Sequence, residues 1–276
     1  MNRNNNRRGS GNSGRSGGGR KKFSGKRSGG SRGGFKGGRG RSGGKRGGGR
    51  KMPTFDPTQF INTNPTEYTE EMYEAQNTFK TFGLDERLTQ TVTGMGFETP
   101  SPIQDQIIPE IMAGHDVIGL AETGTGKTAA FLLPLIEKTI HEPKRMTLIL
   151  TPTRELAIQI EDEFRKLSRG LRQFSTVCVG GVGIIPQIRS LKRDNHFIIG
   201  TPGRVLDLIN RGDLKTPEVT TVVLDEADRM LDMGFINDMK TILSETPKDR
   251  ETLLFCATMS KGTDILMRDF LHDPIK

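Results

Sequence analysis

The chain has 276 residues and a formal net charge of +8, made up of +17 in residues 1–51 (17 Lys and Arg, 19 Gly, no Asp or Glu) and −9 in residues 52–276 (24 Lys and Arg against 33 Asp and Glu). Two distant cysteines, Cys178 and Cys256, exclude a disulfide scaffold and a Cys-x-x-Cys zinc site, and His115, His141, His196 and His272 lack metal-ligand spacing. No stretch reaches the roughly 18 apolar residues of a membrane span, and no apolar core follows the basic N-terminus as in a secretory signal, so a cytoplasmic setting is expected.

Residues 1–51 repeat segments such as Ser31-Arg32-Gly33-Gly34-Phe35 without a fixed period. Glycine raises the entropy cost of ordering, and Met1, Phe23 and Phe35 are too few apolar side chains to offset it, so a disordered tail is expected. Its arginines can pair with phosphates and its phenylalanines can stack on bases, which points to RNA. Such contacts weaken by about 0.7 log unit per log unit of salt for each single-strand phosphate neutralised. A solvated linker is the plainer reading of the same composition. Residues 52–76 form a linker with Pro53, Pro57 and Pro65, where Glu67, Glu70, Glu71 and Glu74 mark the change of charge sign.

The remainder is long enough for one sizeable core. Leu84, Leu88, Val92 and Met95 fall at near-helical spacing before Gly96 and predict an amphipathic helix. Short apolar runs then recur at 117–120, 148–150, 177–179, 197–199, 222–224 and 253–255, each suited to a buried strand, with helix-length intervals between them. One interval, Glu155 to Leu167, sets Leu156, Ile160, Phe164 and Leu167 on one face. This alternation predicts an α/β fold with a mostly parallel sheet, helices on both faces, and ligands beyond the carboxyl ends of the strands.

Two motifs stand at such ends. Ala121-Glu122-Thr123-Gly124-Thr125-Gly126-Lys127-Thr128 follows the first run as a P-loop. Its backbone N–H groups can close around phosphate oxygens, Lys127 can reach the β- and γ-phosphates, and Thr128 can ligate Mg²⁺. The general pattern begins with Gly, so Ala121 is acceptable only where no positive φ is needed. Asp225-Glu226-Ala227-Asp228 follows the run at 222–224. Asp225 suits a Mg²⁺ partner, and Glu226 suits orientation and deprotonation of an attacking water.

Together these motifs resemble the DEAD-box ATP-dependent RNA helicases, and further motifs follow the family's order through residues 77–276. Gly96-Phe97-Glu98-Thr99-Pro100-Ser101-Pro102-Ile103-Gln104 is similar to the Q motif. The resemblance implies that Gln104 reads the adenine edge of ATP and that an aromatic 17 residues before Gly96, here Phe79, stacks on the base, with Phe82 as a nearby core candidate. It further implies RNA backbone contacts from Thr153 and Arg154 of Pro152–Ala157, from Gly181, and from Thr201, Gly203 and Arg204; Arg154 and Arg204 could equally be structural ion-pair partners. Where the family usually has Ser-Ala-Thr this chain has Cys256-Ala257-Thr258. In the family both hydroxyls tie this segment to the last Asp of the acidic motif, here Asp228, and couple hydrolysis to strand separation. Thr258 keeps its hydroxyl, while Cys256 offers only a weaker S–H, either altering the coupling or serving as a small buried residue.

The resemblance divides the chain into the tail (1–51), linker (52–76), Q-motif region (77–105) and first RecA-like, ATP-binding domain (106–276). The family's second RecA-like domain, which bears arginine fingers, is absent here and is expected in the complete protein. Arginine fingers are worth about 10³–10⁵ in rate, so the chain alone is expected to bind ATP weakly and hydrolyse it slowly. A second functional reading is an ATP-independent RNA-binding or annealing protein acting through its tail.

Overall fold

The computed structural model describes residues 73–122 and 124–276. The tail, the linker as far as residue 72, and Thr123 lie outside the described residues. Six strands form one sheet: β1 (Val117–Leu120), β2 (Met146–Leu150), β3 (Ser175–Cys178), β4 (Phe197–Gly200), β5 (Val219–Leu224) and β6 (Glu251–Cys256). Their order is β1-β6-β5-β2-β4-β3, and every pairing is parallel. Each expected apolar run falls on a strand: the first coincides with β1, the others begin up to three residues earlier or end one residue later, and Val179 of the third lies just past the end of β3.

Strand residues alternate between two cores, as the pleat requires. Val117, Ile149, Ile199, Val223, Leu253 and Phe255 face one core, which α1 (Glu86–Gly94), α2 (Pro102–Ala113), α3 (Lys127–His141) and α4 (Arg154–Leu167) complete. Ile118, Leu148, Leu150, Ile198, Val222, Leu224 and Leu254 face the other, covered by α5 (Ile184–Leu191), α6 (Pro202–Asn210), α7 (Ala227–Asp232), α8 (Ile236–Glu245) and α9 (Lys261–Phe270). Covering both faces explains why the strands read as continuous apolar runs. No helix among the described residues is long and apolar enough to cross a membrane.

The first predicted helix is shorter than its apolar spacing suggests. Asp85 caps α1 by accepting from the Arg87 N–H at 2.9 Å, leaving Leu84 ahead of the helix. Met95 lies past its end and is exposed, and Gly96, at φ +86°, turns the chain away. α2 is an element that the apolar pattern alone did not separate. It opens on a capping box in which Ser101 N–H donates to Gln104 Oε1 at 3.0 Å, and Pro102 supplies a preset φ at its first position.

All six carboxyl ends reach one edge of the sheet, and backbone hydrogen bonds just past the strands join four of the five neighbouring pairs. Ala121 N–H donates to Cys256 O at 3.1 Å, Asp225 N–H to Leu150 O at 3.0 Å, Thr151 N–H to Gly200 O at 2.9 Å and Thr201 N–H to Cys178 O at 3.1 Å.

Candidate active site

The strand order sorts the motifs into two groups along that edge. β1, β6 and β5 lie side by side and carry the P-loop, Cys256–Thr258 and Asp225–Asp228. β2, β4 and β3 follow and carry Thr153–Arg154, Thr201–Arg204 and Gly181.

In the first group the P-loop is closed on itself. Lys127 is buried, and its Nζ donates to Ala121 O at 2.8 Å; Thr125 Oγ1 donates to Glu122 O at 2.8 Å. Gly126 caps α3 at φ +90°, and a Cβ there would also collide with the Gln104 amide. Ala121 is not among the described residues with positive φ, which explains why alanine suffices at the loop's first position. Thr128 is half-buried in the first turn of α3. Glu122 and Gly124 are exposed, and Thr123 lies outside the described residues.

The acidic motif begins where β5 ends. Asp225 is 2% exposed, and its Oδ1 has no hydrogen-bond partner. Burial pushes its pKa up to about 6, with Lys127 pulling it down and Glu226 adding to the rise. Glu226 takes up the left-handed conformation at φ +53°, a strained geometry of the kind that clusters at functional sites. Its carboxylate pairs with Arg229 at 3.1 Å. Asp228 Oδ2 accepts from Ala257 N–H at 3.1 Å, Thr258 N–H at 2.9 Å and Thr258 Oγ1 at 2.9 Å. Burial alone would raise the Asp228 pKa, but the hydrogen bonds from Thr258, Arg229 and Ala257 outweigh it and hold the pKa below its ordinary value. A cleft of 240 Å³ opens between Lys127, Glu226, Asp228, Arg229, Asp232 and Ala257.

Cys256 is fully buried, and its Sγ lies 3.9 Å from Met259 Sδ rather than on Asp228. Burial pushes its thiol pKa up to about 11. The link from β6 to Asp228 is therefore made by Thr258 and two backbone N–H groups.

The two residues expected at the base of a nucleotide are placed differently. Gln104 is 2% exposed and commits both ends of its amide to the protein, accepting from Ser101 N–H and donating through Nε2 to Gly126 O at 3.1 Å. Phe79 is 3% exposed, with its ring edge-on to Phe82 at 5.9 Å and to Phe97 at 6.0 Å. Here Phe79 is a core residue, like Phe82, rather than an open stacking platform. The reason is the local apolar density: three phenylalanines converge, and burying them together outweighs leaving one exposed.

In the second group the loops converge on Gly181 and Val182. The Arg154 guanidinium lies against Gly181, and its buried Nε has no hydrogen-bond partner. Arg204 donates from Nη1 and Nη2 to Val182 O at 3.4 Å and sits 3.9 Å from Asp207. Thr153 and Thr201 are the N-cap residues of α4 and α6, and Gly203 is exposed. Arg204 thus has a weak ion-pair partner, whereas Arg154 has no carboxylate within 4.0 Å among the described residues.

The profile of the DEAD/DEAH box helicase family matches residues 101–266. The chain belongs to this family. The ATP-dependent RNA helicase CshA of Listeria monocytogenes is 51% identical over 197 residues, covering 71% of this chain and 38% of its own. The RNA helicase CrhR of Synechocystis is 48% identical over 198 residues, covering 72% and 40%. The crystal structure of a DEAD box protein from Methanococcus jannaschii matches with a TM-score of 0.69 at 40% identity, over 72% of this chain and 55% of that one. A hypothetical ATP-dependent RNA helicase from Sulfolobus tokodaii gives 0.65 at 34% identity, over 70% and 56%. The chain spans about two-fifths of the length of these curated relatives. Its described residues form a RecA-like domain of the DEAD-box kind.

Two side chains of this DEAD-box site were not singled out from sequence: Arg229 and Asp232, which line the cleft. The three-residue step from Glu226 to Arg229 on a short helix was the available signal.

Two substitutions test this geometry. The Asp225 pKa is raised on folding, so its ionisation destabilises the chain increasingly as pH rises from the ordinary carboxylate range to about 6, and fully above that. Asp225→Asn should therefore stabilise the nucleotide-free chain at pH 7.5 by about 1–3 kcal/mol in urea melts, a gain that shrinks as pH falls below 6. A gain independent of pH, or none, would contradict the assignment. Cys256→Ser should leave the bonds to Asp228 in place, because they do not involve the sulfur, and should lower stability in urea melts by about 1 kcal/mol for the buried hydroxyl. A much larger loss would show that the sulfur itself supports the segment following β6.

Proposed function

We propose that this chain is the ATP-binding half of an ATP-dependent RNA helicase, in which RNA-stimulated ATP hydrolysis is coupled to local duplex opening. The observation that carries the reading is the shared edge: a P-loop and a strained acidic motif on three adjacent strands, and loops offering Arg154, Gly181 and Arg204 on the next three. In this reading residues 1–51 are an RNA-binding tail, 52–76 a linker, 77–105 the Q-motif region and 106–276 the ATP-binding domain. A cytoplasmic setting agrees with the two free, buried cysteines among the described residues.

ATP phosphates displace Lys127 from the Ala121 carbonyl, and Lys127 takes up the β- and γ-phosphates with the N–H groups of the P-loop. The residues fit Mg²⁺: Asp225 holds an unpartnered buried carboxylate oxygen, and Thr128 brings a hydroxyl in the first turn of α3. Among the described residues no cluster of three or more His, Cys, Asp or Glu could cage a metal, and Mg²⁺ characteristically takes only one or two protein ligands beside phosphates and water. When bound, it neutralises charge on the phosphate oxygens. Glu226 leaves Arg229 to orient the attacking water and accept its proton. Asp228 relays the state of this site to β6 through Thr258. For Gln104 to read an adenine edge, its amide exchanges the Ser101 or Gly126 bond for the base, and stacking by Phe79 requires its ring to leave the aromatic cluster.

RNA is gripped through its sugar–phosphate backbone by Thr153, Arg154, Gly181, Thr201, Gly203 and Arg204, without base readout. Helix N-termini at Thr153 and Thr201 favour the phosphates. The second RecA-like domain of the complete protein supplies the arginine fingers.

Glu226→Gln in the complete protein should lower RNA-stimulated ATPase by about 10²–10⁴-fold, the usual worth of a positioned general base, with ATP binding retained. RNA-stimulated hydrolysis that survives the substitution would overturn the assignment of Glu226.

A further inference from the structure

Asp105 follows Gln104 on α2 and is 4% exposed. Its carboxylate accepts four hydrogen bonds, all from one short stretch well upstream. Tyr73 Oη and Gln76 N–H donate to Oδ2, each at 2.7 Å; Asn77 N–H and Asn77 Nδ2 donate to Oδ1 at 3.0 Å and 2.9 Å. No cation pairs with it among the described residues. Burial pushes its pKa up, but the bonds from Tyr73, Gln76 and Asn77 outweigh that and hold it below the ordinary carboxylate range. An anion held only by oriented neutral donors fixes where those donors sit, because each bond depends on direction.

The same helical turn is gripped from a second side. Ser101 Oγ donates to Thr125 O at 2.8 Å, and Gln104 Nε2 donates to Gly126 O. Residues 101–105 therefore bridge the P-loop backbone and the segment 73–77, which leads directly into Phe79.

We propose that Asp105 is a positioning residue for the base-side wall of the nucleotide site. By pinning Tyr73, Gln76 and Asn77 to the first turn of α2, it fixes that segment relative to Gln104 and the P-loop, and so sets affinity for the nucleoside part of ATP. The inference rests on the nucleotide reading above. None of the four bonds to Asp105 involves Lys127, Asp225, Glu226 or Asp228, so a substitution there leaves the bonds of those side chains in place.

The test compares the binding of Mg-ATP with that of Mg-tripolyphosphate, which lacks a nucleoside, by calorimetry on the 276-residue chain. Asp105→Asn places an NH₂ group against donors and should weaken ATP by about tenfold while tripolyphosphate changes by less than about twofold. Tyr73→Phe removes one donor of the four and should give a smaller loss of ATP affinity, again without effect on tripolyphosphate. Parallel weakening of both ligands would overturn the inference, since Asp105 would then support the domain as a whole. Unchanged ATP affinity in both variants would overturn it alone. A wild-type chain that binds neither ligand would overturn the nucleotide reading itself.

Discussion

Asp225 stands almost dry at the carboxyl end of β5, with one oxygen unpartnered, beside a P-loop whose lysine is turned onto its own backbone. A buried carboxylate without a partner is costly, and here the cost is expressed as a proton held up to about pH 6. The rest of the domain serves to keep that arrangement in place. β5 and β2 are paired as far as Leu224 and Leu150, and the Asp225 N–H extends the ladder one residue further. The carboxylate therefore cannot retreat to water without breaking the centre of the sheet. A cation brought in from outside would relieve it, and in the proposed function that cation is the Mg²⁺ accompanying the nucleotide.

The same ladder brings the proposed RNA grip into mechanical register with the nucleotide site. β5 adjoins β2, so the acidic motif and the loop bearing Thr153 and Arg154 are neighbours across one strand pair. Bonds past the strand ends carry the connection on, from Thr151 to Gly200 and from Thr201 to Cys178. On the other flank, Asp228 is held by the segment following β6, and Ala121 is bonded to β6 in turn. Coupling between two ligands needs a structure that both can bias, and a single edge with adjoining loops supplies one.

Much of this was legible in the sequence because a sheet buried on both faces leaves unbroken apolar runs, as at Val222-Val223-Leu224, and because phosphate-binding turns demand glycine at fixed offsets. Element ends were less legible, since they depend on caps: Asp85 starts α1 late, and Gly96 ends the run before Met95 can be buried. The sequence also could not show what a motif residue touches. Phe79 and Gln104 match the family's spacing, but an aromatic cluster buries one and the P-loop backbone occupies the other. Cys256 looked like a lost hydroxyl, yet Thr258 and two backbone N–H groups already satisfy Asp228. Asp105 was hidden because its partners lie 28 to 32 residues away and no local pattern marks them.

The central claim is that one sheet edge holds two adjacent and distinct binding halves. Amide NMR on the 276-residue chain, titrated first with Mg-ATP and then with single-stranded RNA, tests it most directly. Mg-ATP should shift residues 121–128 and 225–228, and RNA should shift 153–154, 181–182 and 201–204 in addition to the basic tail. RNA-induced shifts confined to residues 1–51 would contradict the account, because the body would then take no part in gripping RNA.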